Sequence, residues 1–168
     1  MGHQIEQLPR SSLSRLESVL LWAMRAWVVG IVEKIPVEEQ ICDAFRQIGV
    51  PGGTAQLYEF MWVVSQGATR TIDVDCVCKA RVSRDERSLL NVIALAQHER
   101  TFEALVLLRS MLEPKIAMAA VDSAARIAAM LRAEGQHLPV PTMDTDRYMF
   151  AASIDSRERT PRSSYRFH

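Results

Sequence analysis

Apolar side chains recur at three- and four-residue steps over most of the first 135 residues, the spacing of helices that each bury one face. Leu13, Leu16, Leu20, Met24, Trp27, Ile31 and Ile35 form one such stripe, with Ser11 or Ser12 placed to cap it. Trp22, Val28 and Val29 make the reverse side apolar as well. A helix that is apolar round most of its circumference belongs in the middle of a core or against a second subunit. The segment 13–35 is therefore expected to be the centre of the fold. Pro36 opens the next helix, Glu38 and Glu39 suit its positive end, and Gly49 stops it after Ile41, Ala44, Phe45 and Ile48. Pro51-Gly52-Gly53 makes a turn. A third helix over 54–66 turns Leu57, Met61 and Val64 inward, while Phe60, Trp62 and Val63 widen its apolar surface.

The period then changes. Ile72, Val74, Cys76 and Cys78 alternate with Asp73, Asp75, Val77 and Lys79, which predicts one extended segment over 71–82. No second strand offers itself, so this segment is a packed connection or an edge open to another copy. Ser83-Arg84-Asp85-Glu86 matches the pattern in which Ser and Glu satisfy each other's amides at a helix start. Leu89, Leu90, Ile93 and Ala96 follow, ending near His98. Thr101 is the expected cap of a fifth helix that turns Phe102, Leu105, Leu108 and Leu112 inward, and so short a link implies an antiparallel pair. A sixth helix runs from Pro114 to about Glu134, and Gly135 closes it.

The pattern predicts an all-α fold: a bundle of six helices over 12–135, with one short extended segment. A loose leader (1–11) precedes it, and an extended or disordered tail (136–168) follows, where polar residues outnumber isolated aromatics. A chain of 168 residues is the size of one domain.

Charge narrows the functional classes. Twenty basic and 20 acidic side chains leave no formal net charge. That argues against a dedicated nucleic-acid binder or a membrane surface held by basic residues. Residues 37–60 read as helix, turn, helix, but the second helix carries no Lys or Arg to meet phosphate. The longest apolar run, Val19 to Val32, is broken by Arg25 and is too short to span a bilayer. Three cysteines are too few, and odd in number, for a secreted disulfide framework, and a cytoplasmic location is the simpler expectation.

Candidate chemistry is sparse. On an extended strand Cys76 and Cys78 face one side, where they could hold zinc or another soft metal, with Cys42 and His98 as the remaining candidate ligands. The plainer account makes both cysteines small buried hydrophobes that continue the Ile72–Val74 face. Asp73 and Asp75 could share a cation, though a solvated face explains them more simply. No nucleophile, base and orienting group can be assembled, and no phosphate-binding glycine-rich loop with Lys occurs. No cofactor is called for, and the absence of a catalytic set favours a protein that is not an enzyme. The surplus apolar surface points instead to protein–protein binding, through self-association along 13–35 or 54–66 or as a regulatory adaptor. Trp22, Trp27 and Trp62 are its candidate anchors. Arg157, Arg159, Arg162 and Arg166 give the tail a second, cationic candidate surface. The competing expectation is a metal- or redox-responsive regulator built on Cys76-Val77-Cys78.

Overall fold

The computed structural model describes residues 9–141. The leader's first eight residues, and the tail from residue 142 with Arg157, Arg159, Arg162 and Arg166, lie outside the described residues. Among those described, six helices and no strand form an all-α fold. They are α1 (Arg15–Glu33), α2 (Glu38–Gln47), α3 (Gly53–Gly67), α4 (Arg84–Gln97), α5 (Thr101–Arg109) and α6 (Pro114–Ala133).

The start of α1 differs from expectation. Ser11 and Ser12 lie in a single 3-10 turn, where the Ser12 hydroxyl donates to Pro9 O at 2.7 Å. The cap is Ser14. Its Oγ accepts from Glu17 N, and the Glu17 carboxylate accepts from Ser14 N at 2.8 Å. Ser14-Arg15-Leu16-Glu17 thus repeats the reciprocal pattern of Ser83–Glu86. The helix also ends earlier than Ile35: Lys34 turns into the left-handed region at φ 55°, and the Ile35 amide returns to Gly30 O. In α5 the cap position belongs to Arg100, Thr101 is already helical, and Phe102 is exposed rather than inward, while Leu108 and Leu112 are buried.

The centre of the fold is α4 rather than α1. Leu89, Leu90, Val92, Ile93, Ala94, Leu95 and Ala96 are all buried, and α4 packs on α1, α5 and α6. Its charged first turn, Arg84-Asp85-Glu86-Arg87, masks this in the sequence. In α1, burial runs from Leu16 to Val28 and stops there, leaving Ile31 and Val32 exposed.

Two close approaches set the packing. A Cβ on Gly67 would stand 2.2 Å from Ile116, so α3 and α6 touch there because Gly67 has no side chain. One on Gly53 would enter the Phe45 ring, which fixes the turn between α2 and α3. Arg126 Nη2 meets Glu59 Oε1 at 2.5 Å further along the α3–α6 seam. With Gly67 against Ile116, this makes the two helices antiparallel.

Among the described residues the segment 71–82 pairs with no strand, and Arg81 forms an isolated bridge with Pro9. Ile72 and Val74 are buried as the alternation predicts. The alternation ends at residue 76, where Lys79 N donates to Cys76 O and the chain turns. In the folded chain the segment is a packed connection. At the other boundary, order continues past Gly135: Gln136 N donates to Leu131 O, and Leu138 is buried against the core.

Candidate functional site

The densest polar cluster among the described residues holds this 71–82 connection to the bundle. Arg25, in the middle of α1, is 1% exposed, and Glu86, in the first turn of α4, is 0% exposed. Arg25 Nε donates to Glu86 Oε1 at 2.7 Å and Nη2 to Oε2 at 2.9 Å, the two-pronged geometry that a planar guanidinium offers a carboxylate. The rest of the guanidinium serves the connection: Nη1 donates to Lys79 O at 2.8 Å and Nη2 to Arg81 O at 2.6 Å. The rest of the carboxylate serves it too, accepting from Asp75 N at 2.9 Å and Ser83 N at 2.8 Å. A buried ion pair repays its desolvation only when further hydrogen bonds satisfy both ions. Here backbone groups of the connection and of the α4 cap supply them.

A second pair reinforces the first. Asp85 takes both prongs of Arg70, at 2.8 and 2.7 Å, and also accepts from Asp73 N at 2.8 Å. The Ser83 hydroxyl donates to Asp73 O at 2.5 Å. The first turn of α4 therefore holds both the inward and the outward leg of the connection. The sequence shows Ser83 and Glu86 as a cap but does not show their part in this cluster. One signal does point to it: Arg25 lies among buried apolar positions of α1, and a charge there requires a partner.

Asp73 and Asp75 each give a backbone amide to an acid of α4. Burial pushes the Asp75 carboxyl above its ordinary 3.8, and Glu86 adds to the rise, against smaller opposing effects of Arg25 and Lys79. The folded chain thus holds the Asp75 proton more tightly than the unfolded chain does. That preference stabilises the fold at low pH and is lost as pH climbs through the raised value. Asp75→Asn is expected to raise the melting temperature at neutral pH and to leave it unchanged below pH 3.8, as followed by thermal denaturation across pH.

The cysteines are not the buried hydrophobes expected. Cys76 is half-buried and Cys78 exposed, because the turn at 76–79 carries them off the Ile72–Val74 face. Their sulfurs are joined as a disulfide, with Cα atoms 5.5 Å apart. Cys42 stays free on α2; burial raises the Tyr58 phenol above its ordinary 10.0, and Glu38 and then Cys42 add to the rise. His98 closes the far end of α4, about 21 Å along a helix of 14 residues from the cysteine turn, with Nε2 3.0 Å from Leu138 O. The four sequence-predicted ligands are not brought together: among the described residues no three His, Cys, Asp or Glu side chains gather as a metal group.

The tryptophans separate by burial. Trp27 is 3% exposed and sets its ring edge-to-face on Tyr58, with centroids 6.5 Å apart, which removes it from the surface. Trp22 is half-buried against the core. Trp62 is 56% exposed. It lies one helical turn on from Tyr58, Ile31 lies one turn on from Trp27, and Ile35 comes three residues before Glu38, the acid beside Tyr58. Ile31 and Val32 on α1, Ile35 in the link to α2 and Trp62 on α3 are all exposed, and these three helices pack on one another.

No family model, curated protein or solved structure matches this chain. No described helix is long and apolar enough to cross a membrane.

Proposed function

We propose that the chain works by contact, binding a second copy of itself through the apolar rim of the α1–α2–α3 junction. The observation that carries this is the exposure of the Trp62 indole on α3 and of Ile31, Val32 and Ile35 at the end of α1, two helices that pack on each other and on α2. Indoles surrounded by aliphatic side chains are the usual anchors of protein interfaces. A second copy suits this rim better than a partner of one charge sign. The rim carries Glu33, Lys34, Glu38 and Glu39, so a two-fold arrangement can oppose Lys34 of each copy to a glutamate of the other. The chain's zero net charge also removes the long-range repulsion that keeps like molecules apart.

A charge placed on the rim tests this. Ile31→Glu is expected to leave the far-ultraviolet dichroism intact and shift the protein to monomer in light scattering. Phe102→Glu serves as the control. Phe102 is 75% exposed, on α5, which packs on α4 and α6, and its substitution is expected to leave the mass unchanged. Equal behaviour of the two variants would count against this face.

A further inference from the structure

The Cys76-Val77-Cys78 turn lies outside the apolar rim, and its surroundings carry an inference independent of self-association. Both of its flanks end on the same buried ion pair. Upstream, Asp75 N donates to Glu86 Oε1 at 2.9 Å; downstream, Lys79 O accepts from Arg25 Nη1 at 2.8 Å. Lys79 N closes the turn onto Cys76 O at 3.1 Å, and Arg10 Nη1 reaches Val77 O at 3.4 Å. These anchors are backbone groups and do not depend on the oxidation state of the sulfurs. The bundle therefore holds the Cα atoms of Cys76 and Cys78, 5.5 Å apart, through contacts that do not involve the sulfurs. In a flexible chain, closing such a small ring must first restrict the residues it spans. Here the fold has already restricted them.

We propose that this turn is a preorganised dithiol site that exchanges with disulfides of the low-molecular-weight thiol class. Exposed Cys78 is the attacking residue and half-buried Cys76 the resolving one. The Cys78 thiolate attacks one sulfur of the incoming disulfide, forming a mixed disulfide and releasing one small thiol. The Cys76 thiolate then attacks Cys78 Sγ, forming the Cys76–Cys78 bond and releasing the second small thiol. Two electrons pass from the protein dithiol to the small disulfide, and the protons of the two cysteines end on the two released thiols. Reduction by excess small thiol runs the same steps backwards.

The test uses the full-length chain carrying Cys42→Ser, which removes the one thiol outside the turn. Equilibration in glutathione buffers, acid quenching, maleimide labelling and intact-mass measurement give the equilibrium constant for ring closure. The same titration in denaturing guanidinium chloride gives the constant without the anchors. The expected result is a two-electron transition, with any mixed disulfide confined to Cys78. Its closure constant exceeds the unfolded chain's by about tenfold or more, as preorganisation of reacting groups requires. A smaller ratio overturns the proposal, and so does glutathione held on both cysteines without ring closure.

Discussion

Glu86→Gln is expected to remove about 3–5 kcal/mol of unfolding free energy, the cost of leaving one member of a buried ion pair without its counter-charge. The amide keeps the shape of the carboxylate but not its chemistry. Its nitrogen would point at amides or at a guanidinium, all of them donors, where Glu86 now accepts from Arg25, Asp75 N and Ser83 N. A typical domain has only about 5–15 kcal/mol in total, so this variant approaches the limit of folding. Denaturant titration measures the loss. The double variant Arg25→Met, Glu86→Leu separates the ion pair from its second role. A pair bonded only to itself can be exchanged for hydrophobic residues with little loss. This pair also terminates Asp75 N, Ser83 N, Lys79 O and Arg81 O, and those backbone groups would have to turn out to water. The double variant is therefore expected to recover much of the stability while the connection opens. Limited trypsin digestion would then cut after Lys79 and Arg81 faster than in the parent chain.

Trp62→Ala is expected to weaken self-association by at least about 2 kcal/mol, roughly a 30-fold rise in dissociation constant, as for a central interface anchor. Its effect on the monomer is expected to be small, because a side chain already 56% exposed gives up little burial on truncation. Trp27→Ala should show the opposite pattern. That indole is 3% exposed and packs on Tyr58, so its removal costs about 3–5 kcal/mol of fold stability. Denaturant titration and sedimentation on the same samples distinguish the two.

The helices were legible because each is written twice, once in its apolar period and once in its end signals. Ser83–Glu86, Gly49, Pro114 and Gly135 all lie at helix boundaries as the sequence predicts. Ser14–Glu17 carries the same signal and is eclipsed by the adjacent Ser11 and Ser12, which are equally good caps in isolation. The rank of the helices was not legible. Burial depends on what packs against an element, and α4 hides a fully enclosed apolar half behind a charged first turn whose charges are paired. The alternation over 72–78 foretold the buried Ile72 and Val74 but not the turn after Cys76. That turn is set by Arg25, some fifty residues away in the chain. Exposure of Trp62 and burial of Trp27 follow from the crossing of α1 and α3, which no local pattern encodes.

Sedimentation equilibrium of the unmodified chain, from low micromolar to a few hundred micromolar, tests the contact mechanism most directly. The expected result is a reversible rise in mass from one chain of 18.9 kDa to two, fitted by a single dissociation constant that Trp62→Ala increases. A constant single-chain mass across that whole range, from protein with native dichroism, would contradict it.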